Sequence, residues 1–269
     1  MKDKVVIITG ASSGIGLALT KEFARRGAIL SLAARNIEAL NVISKDLMLQ
    51  GNRVIAIQTD VSNPNDCLSL IRTTVKTFGK IDILINNAGL SMRALFKDVE
   101  LEVIKKVIDV NFWGTVYCTK FAMPYLLASK GSVVGISSVV GYVGLPGRVG
   151  YVASKFAING FLETLRTENL KTGLHVLVAA PGFTASNVRK SALTANGTPQ
   201  GETPRDENKM MKPEIVANHI IKAIKKRKKK IILTFFEGKL TVFMNKWFPS
   251  LVSRVAYKRM AKEPDSPFS

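Results

Sequence analysis

A tyrosine and a lysine four residues apart, Tyr151 and Lys155, are the pair in this chain best suited to moving a proton. On a helix, that spacing puts both side chains on one face. A free phenol ionises near pH 10, a poor match for proton exchange around neutrality. A neighbouring ammonium favours the phenolate and lowers that value. Tyr151 could then give a proton to a developing alkoxide or take one from an alcohol. By itself the spacing is a weak signal, because helices often carry such pairs. Ser138, at the end of an expected strand, strengthens it, since its hydroxyl can hydrogen-bond to an oxygen on which charge develops. Ser137, next to it, would point the other way if the strand geometry persists.

The segments that must position these groups alternate short β-branched runs with longer amphipathic stretches. This pattern predicts an α/β fold, a doubly wound, Rossmann-like parallel sheet of about seven strands with helices on both faces. The expected strands are Val5–Ile8, Ile29–Ala33, Val54–Ile57, Ile81–Ile85, Ser132–Ile136, His175–Ala179 and, at the edge, Ile231–Thr234. A helix is expected over Ile15–Arg26, and two long ones over Asn111–Ala128 and Tyr151–Lys171. Right-handed crossovers bring the strand C-termini to one edge, where they build a single crevice. No composition shift or internal repeat marks a second domain. The expectation is one domain over 1–269, with 235–269 as a basic amphipathic extension.

Two signals concern a cofactor. Thr9-Gly10-Ala11-Ser12-Ser13-Gly14-Ile15-Gly16 lies between the first strand and the first helix. Glycines there permit a tight turn and close backbone approach to a pyrophosphate, which the helix N-terminus attracts through free N–H groups. The second signal is the end of the second strand, Ala33-Ala34-Arg35-Asn36, which carries no acid. A carboxylate there would bind the adenosine ribose hydroxyls and repel a 2′-phosphate. Arg35 instead suits phosphate oxygens in charge-assisted geometry, so NADP(H) is expected rather than NAD. The alternative is an ordinary surface arginine, against which the missing acid argues.

The octad resembles the glycine motif of the short-chain dehydrogenase/reductase family, in its compact single-domain branch, and the likeness extends to about residue 184. Asp60-Val61 is similar to that family's adenine-ring contact. Asn86-Asn87-Ala88-Gly89 resembles its Asn-Asn-Ala-Gly motif, and Pro181-Gly182 with Thr184 resembles its nicotinamide-side loop. The resemblance implies Ser138, Tyr151 and Lys155 as catalytic residues, with Lys155 also holding the nicotinamide ribose. It implies a fourth catalytic member in Asn111, anchoring a water relay to the lysine; taken singly, Asn111 could be a helix cap. The implied cofactor contacts are Gly10, Ser12, Ser13, Gly14, Ile15, Gly16, Arg35, Asp60, Val61, Asn87, Ala88, Gly89, Tyr151, Lys155, Pro181, Gly182 and Thr184. The implied reaction is hydride transfer between a nicotinamide and a carbonyl carbon, coupled to proton transfer through Tyr151. The implied assembly is a homodimer or homotetramer built on the two long helices.

Substrate identity is expected in Phe183–Met211, a long stretch of little periodicity, with Ser91–Phe96 and Val139–Arg148 as further walls. Leu90, Met92, Leu95, Phe96, Val139, Val143 and Leu145 suggest an apolar pocket and a lipophilic small-molecule carbonyl or alcohol; the same residues could equally be packing. Cys67 and Cys118 read as two buried thiols, and with only His175 and His219 beside them no metal site is expected. The apolar run at Val5–Ile8 is far too short for a signal core or a spanning helix, so a cytoplasmic location is expected.

The formal net charge is +19, and it is uneven: Lys222–Lys262 holds thirteen Lys or Arg against one acid, Glu237. Within that stretch Leu240, Phe243, Met244 and Trp247 recur at helical spacing, Pro249 interrupts, and Leu251, Val255 and Met260 continue after a Ser250 cap. Such a helix either lies on an anionic bilayer surface or docks on the domain or a second subunit, and both readings stay open. Nucleic acid ranks below these, because no recognition motif accompanies the charge.

Overall fold

The computed structural model of the protein describes residues 1–203, 210–263 and 266–268. Seven apolar runs become strands: Val5–Thr9 (β1), Ile29–Ala34 (β2), Val54–Gln58 (β3), Ile83–Asn86 (β4), Ser132–Ile136 (β5), His175–Ala180 (β6) and Lys230–Ile232 (β7). All pair in parallel, in the order β3-β2-β1-β4-β5-β6-β7. β1, β2, β4, β5 and β6 are buried along their whole length, which is why their sequences read as continuous apolar runs rather than alternating ones.

Successive side chains still face opposite layers. Val6 and Ile8 pack with Leu19 and Phe23 of Gly14–Arg25 (α1), Leu40 of Ile37–Leu49 (α2) and Ile220 of Pro213–Lys225 (α7). Ile7 and Leu84 pack instead with Leu70 of Pro64–Phe78 (α3), Leu126 of Gly114–Ala128 (α5) and Leu162 of Val149–Glu168 (α6). The chain winds outward from β1 to β3 and then returns to β4 on the other side of β1. The strand order therefore reverses at the β1/β4 seam, where a crevice opens beyond the strand ends.

Some boundaries differ from the expected ones. β4 starts at Ile83, because Asp82 turns its carboxylate to Lys4 Nζ at 2.7 Å and the Val5 N–H at 2.9 Å. Asn111 does not begin a helix. Helix Leu101–Ile108 (α4) runs through a π-helical turn, Asp109–Trp113, directly into α5, so Asn111 lies inside continuous helix and is fully buried. The described part of Phe183–Met211 is better ordered than its composition suggests. Leu193 pairs with the backbone of Ser91 and Arg93, and Thr184 bridges Met211. Residues 204–209 of that stretch lie outside the described residues.

After β7 the chain makes a second π-helical turn, Phe235–Leu240, then two short helices, Thr241–Trp247 (α8) and Pro249–Ala261 (α9). Pro249 occupies the first turn of α9, where its missing N–H is no loss. Ser250 therefore lies inside the helix instead of capping it. The segment docks on the domain. Glu263 meets Arg93 at 3.6 Å with both side chains under a tenth exposed, and Asn245 donates to the Tyr142 carbonyl at 3.0 Å. Arg259 pairs with Glu237 at 2.5 Å and lies 5.5 Å over the Phe183 ring. No described helix is long and apolar enough to cross a membrane.

Candidate active site

The glycine turn is shaped by contact with the end of β4. Gly10 has φ +65°, and a Cβ there would fall 2.9 Å from Ala88 Cα. A Cβ on Gly16 would fall 2.0 Å from the Gly10 carbonyl oxygen, so only glycine lets α1 approach the turn this closely. Asn87 Nδ2 donates to the carbonyls of Thr9 and Gly10 at 2.9 and 3.1 Å. Thr9 Oγ1 accepts the N–H groups of Asn87 and Ala88, both at 3.0 Å. Thr9 thus stitches the two loops together, a part that the sequence reading did not single out. Its only signal was its place at the strand end.

α1 opens with no acid in its first turn and no side-chain cap from Ser13, which leaves N–H groups and a positive dipole end for an anion. This acid-free helix end, reached across a turn with no side chains at Gly10 and Gly14, fits the pyrophosphate of a dinucleotide. Arg35 is exposed one residue past β2, beside Asn36, whose side chain caps α2 by accepting from Ala39 N at 2.8 Å. Asp60 uses its carboxylate locally, accepting from the Ser62 N–H and hydroxyl at 3.0 and 2.7 Å.

One cavity of about 750 Å³ runs from this turn, past the ends of β4 and β5, to the C-terminal helices. Every residue expected from sequence to hold cofactor or catalyse reaction lines it, except Gly16 and Asn111. Gly16 acts through the packing just described. Asn111 lies one layer back: its Oδ1 accepts from Leu90 N at 2.7 Å, and its Nδ2 donates to Leu90 O at 2.9 Å and Ser154 Oγ at 2.8 Å. It clamps the loop after β4 to α6 and makes no direct bond to Lys155.

Tyr151, Ser138 and Lys155 meet in the middle of the cavity. Ser138 lies two residues past the end of β5 and caps a short 3-10 turn, Val139–Gly141, while Ser137 turns away to the Lys155 carbonyl at 3.4 Å. The Tyr151 phenol is held above its ordinary value by burial, which penalises the phenolate. A hydrogen bond to Ser138 and the charges of Arg148 and Arg189 pull it down without cancelling that penalty. This differs from the expected lowering by Lys155. The lysine is itself buried, its pKa brought down to about 8, and its Nζ lies 5.6 Å from the phenol ring centroid while donating to Ile136 O at 2.8 Å. Arg148 is held by Ser91 Oγ at 3.0 Å and Met92 O at 2.8 Å, and Arg189 by Thr184 O at 2.7 Å. Neither arginine stood out in the sequence: Arg148 stands just ahead of α6, three residues from the phenol, and Arg189 is brought to it only by the fold.

The substrate end also differs in part from expectation. Leu90, Val139, Val143 and Leu145 line the cavity. Met92 is instead fully buried, its sulfur 3.3 Å from the Gly150 N–H, while Phe96 is 68% exposed and, like Leu95, stands outside the cavity. Much of the apolar wall comes from the C-terminal segment, through Leu240, Met244, Val252 and Met260.

The sequence profile of the short chain dehydrogenase family matches residues 4–197. The chain belongs to that family. Its members are oxidoreductases that use a nicotinamide dinucleotide, and the glycine turn and the Ser138, Tyr151 and Lys155 cluster lie within the matched span. Dehydrogenase/reductase SDR family member 7B of Mus musculus is 33% identical over 271 residues, 99% of this chain and 84% of that protein. The 11-beta-hydroxysteroid dehydrogenase-like 3 protein of Arabidopsis thaliana is 43% identical over 187 residues, 69% of this chain and 60% of that protein. Among solved structures, an alcohol dehydrogenase from Thermococcus sibiricus complexed with 5-hydroxy-NADP superposes with a TM-score of 0.76 at 27% identity. It covers 86% of this chain and 96% of that one. A short-chain dehydrogenase/reductase from Burkholderia phymatum in complex with NAD gives 0.78 at 25% identity, over 86% and 88%.

Proposed function

We propose that this short-chain dehydrogenase is an NADP(H)-dependent oxidoreductase interconverting a lipophilic ketone, or a 3-oxoacyl compound, with its secondary alcohol. The observation that carries the reading is the convergence of Ser138, Tyr151 and Lys155 on the cavity that also holds the glycine turn. The preference for NADP rests on Arg35 and the acid-free end of β2. The apolar wall supports a lipophilic substrate, as do the hydroxysteroid dehydrogenase names among the relatives.

When bound, the dinucleotide would supply hydride exchange at the carbonyl carbon. Ser138 would hold the substrate oxygen, and Tyr151 would donate its phenolic proton to that oxygen as charge develops. The phenol is protonated at neutrality, the state that reduction of a carbonyl requires. Lys155, at about 8, stays largely charged at neutrality and supports Tyr151 when negative charge appears on it. Gly10, Ser12, Ser13 and Gly14 would hold the pyrophosphate and Arg35 the 2′-phosphate, with Asp60, Val61, Asn87, Ala88 and Gly89 along the adenosine and Pro181, Gly182 and Thr184 beside the nicotinamide.

A homodimer or homotetramer through α5 and α6 belongs to the same proposal. Trp113, in the π-helical turn that leads into α5, and Phe156 on α6 are 41% and 46% exposed, and Trp113 stacks on Tyr117 of α5 at 5.5 Å. A cytoplasmic location is proposed with it, supported by two buried free thiols, Cys67 and Cys118, whose sulfurs meet in a hydrogen bond at 3.5 Å rather than a disulfide.

The test is turnover of NADPH with a panel of ketones, aldehydes and 3-oxoacyl thioesters. Tyr151→Phe should lose roughly 10²–10⁴ in turnover while keeping its NADPH affinity. An absence of turnover on every carbonyl would leave a dinucleotide-binding regulator instead.

A further inference from the structure

The C-terminal segment closes the cavity and also surrounds its opening. Phe236, Leu240, Leu251 and Val255 line the cavity, yet they are 74%, 38%, 51% and 57% exposed, so they form the rim where it meets the surface. Phe235, Phe243, Trp247, Phe248 and Tyr257 stand outside the cavity, each more than half exposed. Nine large apolar side chains within Phe235–Tyr257 are thus left in water, although the segment is anchored to the domain. Exposed apolar surface of this kind marks an interaction site.

The charges around it narrow the choice of partner. Lys239, Lys246, Arg254, Lys258 and Lys262 are all exposed around these side chains, as is every residue of the run 225–230. The one acid among them, Glu237, is already paired with Arg259. Aromatic and aliphatic side chains ringed by lysines match a negatively charged lipid surface, where rings enter the interface and ammonium groups meet headgroup phosphates. A second copy of the chain fits less well. A two-fold contact would set this patch against itself, cation on cation, and would shut the cavity's opening.

We propose that the face formed by the turn Phe235–Leu240, α8 and α9 seats the protein on an anionic bilayer with the cavity mouth against the lipid. A lipophilic substrate then passes from the membrane to Tyr151 without crossing water. This route rests on the substrate reading above; the seating does not.

The test uses the full chain and vesicles of phosphatidylcholine with or without roughly a third phosphatidylglycerol. The protein should co-sediment with the anionic vesicles at low salt, and high salt should weaken this. In a Trp113→Phe background, Trp247 emission should shift to the blue and be quenched by bromine-labelled acyl chains. The double substitution Phe243→Ser with Trp247→Ser should weaken binding by roughly tenfold or more. Its NADPH affinity and its turnover of a water-soluble carbonyl should match the parent, which shows an intact fold. Failure to bind anionic vesicles, or equal binding by the double variant, overturns the proposal. So does a dimer that this double substitution dissociates in a protein without vesicle affinity, which would assign the face to a second copy. If no carbonyl is turned over, the enzymatic reading fails, and vesicle binding still decides the seating.

Discussion

Replacing Gly16 by alanine tests the construction of the dinucleotide end most directly. The new methyl would stand 2.0 Å from the Gly10 carbonyl oxygen and 2.6 Å from Asn87 Nδ2. Carbon and oxygen in contact sit about 3.3 Å apart, so the turn must retreat by more than ~1 Å. That movement breaks the bonds from Asn87 Nδ2 to Thr9 O and Gly10 O. Two hydrogen bonds at about 1 kcal/mol each, plus about 1–3 kcal/mol of overpacking, give a loss of roughly 3–5 kcal/mol. Gly51→Ala is the matched control: φ there is +82°, but nothing lies within 4 Å of the added carbon, so only the left-handed backbone costs, at about 1–2 kcal/mol. Urea denaturation gives the two stabilities, and NADPH fluorescence titration gives the affinities. Gly16→Ala should be clearly the less stable of the two and should bind NADPH at least roughly tenfold more weakly, since the displaced N–H groups are those offered to phosphate. If it were no less stable than Gly51→Ala and bound NADPH normally, the packing of α1 on the turn could not be what shapes the site.

Two further outcomes are expected. Arg35→Ala should weaken NADPH by roughly tenfold or more and leave NADH nearly untouched, as compared by KM for the two cofactors; equal losses would refute the phosphate assignment. Lys155→Met should remove a pH dependence of stability. The native lysine ionises at about 8 against 10.5 for the ordinary value, so between those limits the unfolded chain binds more protons and stability rises with pH. The destabilisation is fully present below pH 8 and is relieved toward 10.5, amounting to a few kcal/mol in the parent relative to the variant. Parallel denaturation curves for parent and variant across that range would contradict the burial of the ammonium.

The strands were legible because burial on both faces leaves an uninterrupted apolar run, as in Val5–Thr9 and His175–Ala180. Most cofactor residues were legible because they follow strand ends, where topology brings them together, whereas Tyr151 and Lys155 were legible from their spacing on one face of α6. Three things were not. An apolar stripe such as Leu240, Met244 and Leu251 announces that it will be covered, but its periodicity does not say by what. In the structure it becomes a wall of the cavity. The π-helical turn at Asp109–Trp113 leaves no compositional mark, so Asn111 read as the start of a helix when it is buried inside one. The electrostatics of Tyr151 depend on Arg148 and Arg189, one of them far away in sequence, and on burial; helix spacing pointed to Lys155 alone.

The two ends of the cavity come from different lengths of chain. The dinucleotide turn, Ser138, Tyr151 and Lys155 all fall within residues 4–197, which the family shares, whereas the far wall is built by residues after 235. Among the described residues, contacts that fasten that wall include Glu263 on Arg93 and Asn245 on the Tyr142 carbonyl, neither of which involves a reacting group. On the proposed function, mutation of the tail is expected to redraw the guest without disturbing the chemistry. Chimeras exchanging only the last thirty-odd residues among relatives should inherit their preference from the tail donor and their cofactor from the body.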